Sequence, residues 1–468
     1  MTYPNVLVMG YLRQTGQLTP EWQMKLEHAI NTGYQRLLTF ETRPEGGFDW
    51  YGRPPAKTIL TAYGILEFSD MAKVYAVDPA VITRAVRVLE SRQQADGSWK
   101  LDMPMHTWSQ VGSDSLPLTA YVSWALHEAK QPNGASIAYL EKNLEKATDP
   151  YVLALIANAL TLAKSPRAKE ALEKLEATAV VEGDAAKWST KAQSACYGTG
   201  DVASIETTAL ATLACMRGGK FTLADKGLTA LVRAKDPKGG WKSTQSTVLA
   251  IKALLESEKS AKVQGEIPVV LRVNGKVVEK AFTPISKANY DVVQQADITK
   301  FLQAGENIVE VELPKDARAS AQVCGRYYVP WDQVAVKEEK QPLDIQVAYD
   351  KTKLAKDELL TANVQLRYTG PGTFMVIADL GVPPGFVVVE EGLRQLVAQK
   401  VIDKYAVTGR QITLYFGAVK KDDVIQLSYG LRPRFPIVAK TPSSSCHEYY
   451  APENRNDAKP QAIEVTER

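Results

Sequence analysis

The hydrophobic pattern of the chain changes its period near residue 262, and this change constrains the fold more than any other feature. Before it, apolar residues recur every three to four positions, as on one face of an α-helix. The first such face reads Trp22, Leu26, Ile30, Tyr34 and Leu38. After it, the segment IPVVLRVNGKVVEKAF (267–282) alternates with period two around Asn274-Gly275, a pair typical of β-hairpins. The pattern therefore predicts a helical half followed by a β-rich half.

Within the helical half, a turn and the helix after it recur together with a spacing near 50 residues, which is typical of repeated helical hairpins. The turns place an aromatic residue after an acidic or glycine turn, as in GGFDW (46–50), DGSW (96–99) and GGW (239–241). The helices share a threonine followed by small residues, in KTILTAYGILEF (57–68), SLPLTAYVSWAL (115–126), SIETTALATLA (204–214) and STQSTVLAIKALL (243–255). Asp-Pro pairs at 78–79 and 149–150 open two further helices, because proline suits the first helical position. We expect residues 20–258 to be all helix and to close into a ring.

The β-rich half contains two groups of strand patterns, separated by the charged segment VKEEKQP (336–342). The first group includes ENIVEVEL (306–313). The second contains five apolar runs of strand length and one helical pattern at about 390–402. We expect two β domains, at 264–335 and 343–450, the second a β-sandwich with one inserted helix.

Composition and motifs exclude several classes of function. Lys plus Arg is 56 and Asp plus Glu is 53, so the net charge of +3 gives no electrostatic footprint for nucleic acid. No apolar run reaches the roughly 20 residues that span a bilayer, and the start MTYPNVLVMGYLRQ has no signal-peptide pattern. None of the four cysteines forms a CxxC pair, no two histidines have metal-ligand spacing, and no nucleotide-binding glycine motif occurs. The sequence therefore predicts no metal and no cofactor.

One motif suggests an alternative of another class. QQADGSW (93–99) resembles the QW motif of terpene cyclases, which, like the related prenyltransferases, are helical toroids. Those enzymes ionise an isoprenoid with a DxDD cluster or with metal-binding carboxylates, and this chain has no DxDD. We interpret the motif as a sign of the toroid rather than of that catalysis.

Nearly the whole chain resembles the C-terminal part of the alpha-2-macroglobulin and complement family. Residues 51–99 and 236–257 are similar to its thioester-containing helical domain, and 264–335 to the returning part of the CUB-type domain into which that helical domain is inserted. Residues 385–419 and the ending KTPSSSCHEYYAPEN resemble its receptor-binding macroglobulin domain. The resemblance implies an α/α toroid at 1–262, a CUB-like remainder at 263–336 and a receptor-binding-like β-sandwich at 337–468.

Family members carry an internal thioester between a Cys and a Gln three residues later, within GCxEQ. The residues three positions after Cys196, Cys215, Cys324 and Cys446 are Thr, Gly, Tyr and Tyr, so this chain has no thioester motif. In the family the motif lies just upstream of the segment that TYPNVLVMGYL resembles. We therefore expect the chain to begin immediately after the reactive bond.

The resemblance also implies site residues. His106, in DMPMHTWSQ, occupies the place of the catalytic histidine of complement-type members, which attacks the thioester as a nucleophile. Tyr63 and Trp108 are expected to line the thioester pocket, with core packing as the alternative. The lysine pair that binds the receptor in vertebrate members has no match, because Lys400 and Lys404 come too late on the last-domain helix.

The implied function is a C-terminal fragment of a protease inhibitor and not an enzyme. Its partners would be target proteases and the upstream macroglobulin domains of the parent protein. The family resemblance places the parent outside the cell or in the periplasm. A binding module that has lost the thioester chemistry remains an alternative.

Overall fold

The computed structural model describes residues 2–467 except 103–114, 197, 237–238, 259–264, 287, 290–291, 293, 315–316, 318, 320, 326, 331–332 and 334–340. The helices are α1 (Thr2–Thr15), α2 (Pro20–Leu38), α3 (Thr58–Met71), α4 (Pro79–Arg92), α5 (Leu116–Glu128), α6 (Gly134–Asn143), α7 (Pro150–Leu162), α8 (Ala168–Glu176), α9 (Gly200–Arg217), α10 (Phe221–Arg233), α11 (Thr244–Glu258) and α12 (Glu390–Ala398). The strands are β1 (Val180–Glu182), β2 (Ala185–Lys187), β3 (Val270–Val273), β4 (Lys276–Val277), β5 (Val309–Glu312), β6 (Leu343–Tyr349), β7 (Lys353–Ala355), β8 (Leu360–Tyr368), β9 (Thr373–Gly381), β10 (Phe386–Val389), β11 (Lys404–Val407), β12 (Gln411–Val419), β13 (Val424–Pro433), β14 (Ile437–Lys440), β15 (Ser444–Glu448), β16 (Ala451–Ala458) and β17 (Ala462–Thr466).

The first eleven helices close into a ring. Helix α3 packs on α5, α5 on α7, α7 on α9 and α9 on α11, and α1 then contacts both α11 and α3. The inner helices are buried all round, as α7 is from Tyr151 to Leu160, whereas outer helices such as α8 bury only one face. Asp78 and Asp149 cap α4 and α7 through their carboxylates, as their Asp-Pro pairs predict. The predicted fold class, a helical toroid followed by β-sandwich domains, is confirmed.

A hydrogen bond from each aromatic turn to the next inner helix explains the repeat. The backbone N–H of the turn aromatic donates to a threonine hydroxyl in the helix that follows, and the four pairs are Phe48–Thr61 (3.0 Å), Trp99–Thr119 (3.0 Å), Trp188–Thr208 (3.1 Å) and Trp241–Thr247 (3.0 Å). Each of the three indoles also donates its Nε1–H to a carbonyl of the preceding helix, at 2.7 to 3.0 Å. The threonine pattern of the sequence therefore reflects a cap that satisfies a buried donor at each turn.

Two details of the helical half differ from the sequence-based expectation. Residues 180–187 form the β1–β2 hairpin, so the expectation of helix throughout 20–258 is wrong there, because Val180-Val181 favours strand and Gly183 takes a positive φ of 62° in the turn. The helical part also begins earlier than expected, since α1 starts at Thr2.

The first β region is small. Strands β4, β3 and β5 form one sheet, and Asn274 and Gly275 have φ of 50° and 77°, which confirms the predicted two-residue hairpin. The buried core of this sheet consists of Leu271, Val273 and Val278 among the described residues.

The last β region contains two larger sheets, in the orders β10-β13-β8-β6 and β11-β12-β9-β15-β16, and a third of β14-β17-β7. Their apolar faces share one core, and α12 is the single inserted helix. Strands β16 and β17 lie beyond residue 450, where the expectation ended, because β16 reads APENRNDA and offers no apolar alternation. The predicted domain boundaries near 262 and 336 lie among residues outside the description, and they stay predictions.

Candidate functional site

Polar side chains from four inner helices and one turn meet inside the toroid. We call them the tyrosine–carboxyl cluster: Tyr63 (α3), Tyr121 (α5), Tyr151 (α7), Glu206 (α9) and Cys196, which lies in the turn before α9. Tyr121, Tyr151 and Glu206 are buried, and Tyr63 and Cys196 are partly buried. The Tyr121 Oη and Cys196 Sγ atoms are 3.8 Å apart.

Burial keeps the cluster neutral. It raises the pKa of Tyr63, Tyr121 and Tyr151 well above the ordinary value for phenols, and it raises the pKa of Glu206 to about 8, against a smaller lowering effect of the Ser194 hydroxyl. The pKa of Cys196 is also raised, first by burial and then by the negative charge of Glu206. Burial therefore favours the uncharged form of each of these groups at pH 7.

Residues 194–196 and 198, in the segment before α9, lie over the carboxyl group of Glu206. Gly198 donates its N–H to the Ser194 hydroxyl at 2.9 Å, and the Ala195 N–H donates to the Tyr151 hydroxyl at 3.0 Å. A Cβ at Gly198 would lie 2.8 Å from Ser194 Oγ and 3.0 Å from Glu206 Oε1. Residue 198 is therefore glycine because the backbone approaches the carboxyl group closely.

The first turn of α1 lies beside this cluster. The rings of Tyr3 and Tyr63 meet edge to face, with centroids 5.9 Å apart. The Tyr3 hydroxyl donates to Asp70 Oδ2 at 2.7 Å, which fixes the ring against α3. The first turn of α1 therefore lies next to Tyr63.

A network of buried and partly buried charged side chains joins the inner helices of the ring. Lys252 of α11 lies 2.6 Å from Asp70 Oδ2 of α3 and 3.7 Å from Glu128 Oε1 of α5, and Arg217 of α9 lies 2.8 Å from Glu128 Oε2. Burial alone would raise the pKa of Asp70, but Lys252 and Lys73 outweigh it and hold the pKa at about 2. The network is charge-paired, so its role is to hold the inner helices together.

A hairpin of the last β region covers the cluster end of the toroid. Tyr450 packs against the toroid core, and its carbonyl accepts a hydrogen bond from the Thr199 N–H at 3.4 Å. The rings of Tyr449 and Tyr450 meet edge to face at 4.9 Å. Tyr449 also contributes to the raised pKa of Tyr63. A second contact joins Trp50 of the toroid to Phe374 of β9, with ring centroids 6.1 Å apart.

The structure tests only part of the predicted site. Tyr63 lies in the cluster beside α1, where a pocket residue would be expected, but its role is still a prediction. His106 and Trp108 lie outside the described residues. Sequence analysis missed Glu206, Cys196 and Tyr151, although a carboxylate in the apolar pattern of α9 was a readable signal for Glu206.

The described residues contain no group of three or more His, Cys, Asp or Glu side chains arranged to hold a metal ion. Among these residues, no helix combines the length and the apolar character that crossing a bilayer requires.

Two family models match the chain. The alpha-macroglobulin TED domain matches residues 1–257, and the alpha-macroglobulin receptor-binding domain matches residues 371–459. Ovostatin from Gallus gallus is 24% identical over 477 residues, a match that covers 96% of this chain and 32% of the relative. The chain thus spans about a third of the length of this relative.

Solved structures share the fold. Native Escherichia coli alpha-2-macroglobulin, from domain MG7 to the C-terminus, superposes with a TM-score of 0.65 at 14% identity, covering 97% of this chain and 70% of that one. Salmonella alpha-2-macroglobulin reacted with methylamine gives a TM-score of 0.66 at 16% identity, covering 99% of this chain and 29% of that one. Because the TED model alone matches more than half of its residues, the chain belongs to the alpha-macroglobulin family.

Proposed function

We propose that this chain is the C-terminal part of an alpha-2-macroglobulin-like protease inhibitor whose thioester lies upstream and is held at the tyrosine–carboxyl cluster. The observation that carries the proposal is the position of α1. Its first turn packs on Tyr63 at 5.9 Å, and the Tyr449–Tyr450 hairpin covers the same end of the toroid. A reactive bond directly preceding Tyr3 would therefore lie between the cluster and the hairpin.

The chemistry of the cluster suits the storage of a reactive acyl group. Hydrolysis of a thioester needs water and is helped by a deprotonated general base, whereas burial favours the protonated forms of Glu206 and Cys196. The covering hairpin would keep bulk water away from the same place. Protease cleavage of an upstream bait segment would separate these parts, and the exposed thioester would acylate a nucleophile on the protease.

The proposed partners follow from the parent protein. Target proteases would be bound by the assembled inhibitor, and the upstream macroglobulin domains would pack on this chain. Tyr327 and Tyr328, which follow β5 in the chain, support such packing because they are 82% and 92% exposed. We place the parent protein outside the cell or in the periplasm. The receptor-binding domain matches as a fold, but we propose no receptor, since the lysine pair is absent.

The test uses the parent polypeptide, extended upstream through a GCxEQ motif, beside the chain described here. Both proteins are treated with methylamine and weighed intact, and released thiols are counted. We expect the extended protein to gain one methylamine and one free thiol, and the shorter chain to gain neither. An extended protein that folds but neither gains mass nor releases a thiol would overturn the proposal.

The role of His106 needs a separate comparison in the same extended protein. An imidazole of near-neutral pKa can attack the thioester and pass the acyl group to hydroxyls, whereas amines need no such intermediate. We therefore expect His106→Asn to lower labelling by glycerol relative to labelling by methylamine. An unchanged ratio would leave His106 as a structural residue.

A further inference from the structure

A cavity lies where the toroid meets the last β region, and none of its lining residues belongs to the tyrosine–carboxyl cluster. Its volume is about 320 Å³, which is within the range of sites that hold small organic molecules. The toroid lines it with Asp49, Trp50 and Tyr51, and strands β9 and β12 line it with Phe374 and Phe416. The proposed storage of a thioester makes no use of this cavity.

Aromatic side chains make up much of the cavity wall. The rings of Trp50 and Phe374 meet across the junction, with centroids 6.1 Å apart and an angle of 42° between their planes. Phe416 is buried, whereas Tyr51 is 58% exposed, so the wall extends from the protein interior to the surface. Aromatic rings pack against flat apolar groups and attract cations to their faces.

Two carboxylates line the same cavity without a cation to pair with. Asp49 is 8% exposed, and its Oδ2 accepts hydrogen bonds from the N–H groups of Tyr51 (2.9 Å) and Arg53 (3.2 Å). Its Oδ1 has no hydrogen-bond partner in the part of the chain that the structure describes. The Asp403 carboxylate lies against β12, where a Cβ at Gly417 would be 2.5 Å from Asp403 Oδ2. Among the described residues, the Asp403 carboxylate forms neither a hydrogen bond nor an ion pair.

The electrostatics of the lining agree with this geometry. Burial raises the pKa of Asp403, as expected for a carboxylate that has no partner. Burial and then the charges of Asp403 and Asp49 raise the pKa of Tyr51, against a smaller lowering by Arg53. Lys400 is the one cationic side chain among the described lining residues, and it forms no ion pair with another described residue. Negative charge therefore exceeds positive charge in the lining.

We infer that this cavity binds a small arylalkyl ammonium ion. Its aromatic body would pack against Trp50, Phe374 and Phe416, and its charged nitrogen would be attracted by the carboxylates of Asp49 and Asp403. An anion would meet the excess negative charge, and a neutral ligand of the same shape would leave both carboxylates unmatched. The inference does not depend on the proposed function, since it involves neither the thioester nor the protease.

The first test is isothermal titration calorimetry of the present chain with 2-phenylethylamine at pH 7. This chain has no thioester motif, so binding of an amine is not confused with acylation. We expect a Kd of about 1 mM, and binding roughly tenfold weaker for the neutral 2-phenylethanol and weaker still for phenylacetate. Equal affinity for the amine and the alcohol, or no binding of the amine well above that concentration, would overturn the inference.

Variants of opposite charge change locate the site. Asp403→Asn should weaken binding of the amine roughly tenfold, because a charge-assisted contact is lost. Lys400→Met should strengthen it severalfold, because it removes the competing cation. Asp422→Asn, in the exposed turn before β13, is the matched control and should change nothing. None of these variants should alter binding of 2-phenylethanol, and an amine affinity that ignores both Asp403→Asn and Lys400→Met would refute the assignment.

A last comparison distinguishes a free amine from a lysine side chain of a protein partner. Nα-acetyl-lysine amide carries the same ammonium group on an aliphatic chain. We expect it to bind more weakly than 2-phenylethylamine, because an aliphatic chain packs less favourably against the aromatic wall. If the lysine compound bound more tightly, the site would recognise a protein side chain, and the inference of an arylalkyl ammonium ligand would be wrong.

Discussion

Asp70 forms ion pairs with two lysines, one buried and one exposed, so the contributions of the two pairs to stability can be compared. Lys252 and Lys73 each lie 2.6 Å from an oxygen of Asp70, but their side chains are 8% and 61% exposed. Removing a buried partner leaves an uncompensated charge, which typically costs about 3–5 kcal/mol, whereas an exposed pair is worth less than about 1 kcal/mol. Because Lys73 remains to pair with Asp70, we expect Lys252→Met to lower the free energy of unfolding by about 3 kcal/mol and Lys73→Met by less than about 1 kcal/mol.

The assay is urea unfolding followed by far-ultraviolet circular dichroism, which reports mainly on the helical toroid. The pH dependence provides a second check. The pKa of Asp70 is about 2 in the fold against an ordinary 3.8, so its ion pairs stabilise the fold above that ordinary value and are lost as the pH falls toward 2. The cost of Lys252→Met should therefore shrink over the same interval. Equal losses for the two lysine variants, or a loss for Lys252→Met that does not change with pH, would refute the reasoning.

Three further outcomes are expected. The Glu206→Gln variant should be more stable than the parent chain by about 3 kcal/mol at pH 7 and equally stable near pH 4. The reason is that folding raises the pKa of Glu206 from 4.5 to about 8, so the folded parent must take up a proton at pH 7. Urea unfolding at several pH values measures this difference, and Glu90→Gln should show no such trend. Thr208→Val should cost about 1–3 kcal/mol in thermal or urea unfolding, because it leaves the buried Trp188 N–H without its acceptor, and a neutral result would show that the cap is dispensable. Tyr450→Ala should loosen the contact between the last β region and the toroid, seen as faster proteolysis near residue 199, and an unchanged cleavage rate would mean that the hairpin does not hold the two parts together.

The period of the apolar residues in the sequence predicts most of the fold. The inner helices are apolar all round and the outer helices on one side only, so both give a clear helical signal. The recurring turn aromatic and threonine indicated a ring of hairpins, since each pair is joined by a hydrogen bond between near neighbours in sequence. The β1–β2 hairpin and strand β16 escaped prediction because exposed strands need no apolar alternation.

The candidate site was less predictable, because it is assembled from residues far apart in the chain. Tyr63 could be assigned only through the family resemblance, as one aromatic residue among many on apolar helices. The sequence shows Glu206 as a charged residue in an apolar helix, but its neighbours come from α3, α7 and residues 194–196. Sequence spacing carries no information about such an approach between distant segments.

The ring closes where α11 meets α1 and α3, and this seam has a consequence for how the toroid folds. Each aromatic-to-threonine bond closes a loop of at most 20 residues, so the hairpins can form while the chain is still being synthesised. The contact between Asp70 and Lys252 joins positions 182 residues apart and waits until α11 has been made. Until then the helices form an open arc whose inner face is exposed to chaperones and to aggregation. The seam between α11 and the first helices is therefore the last part of the ring to form.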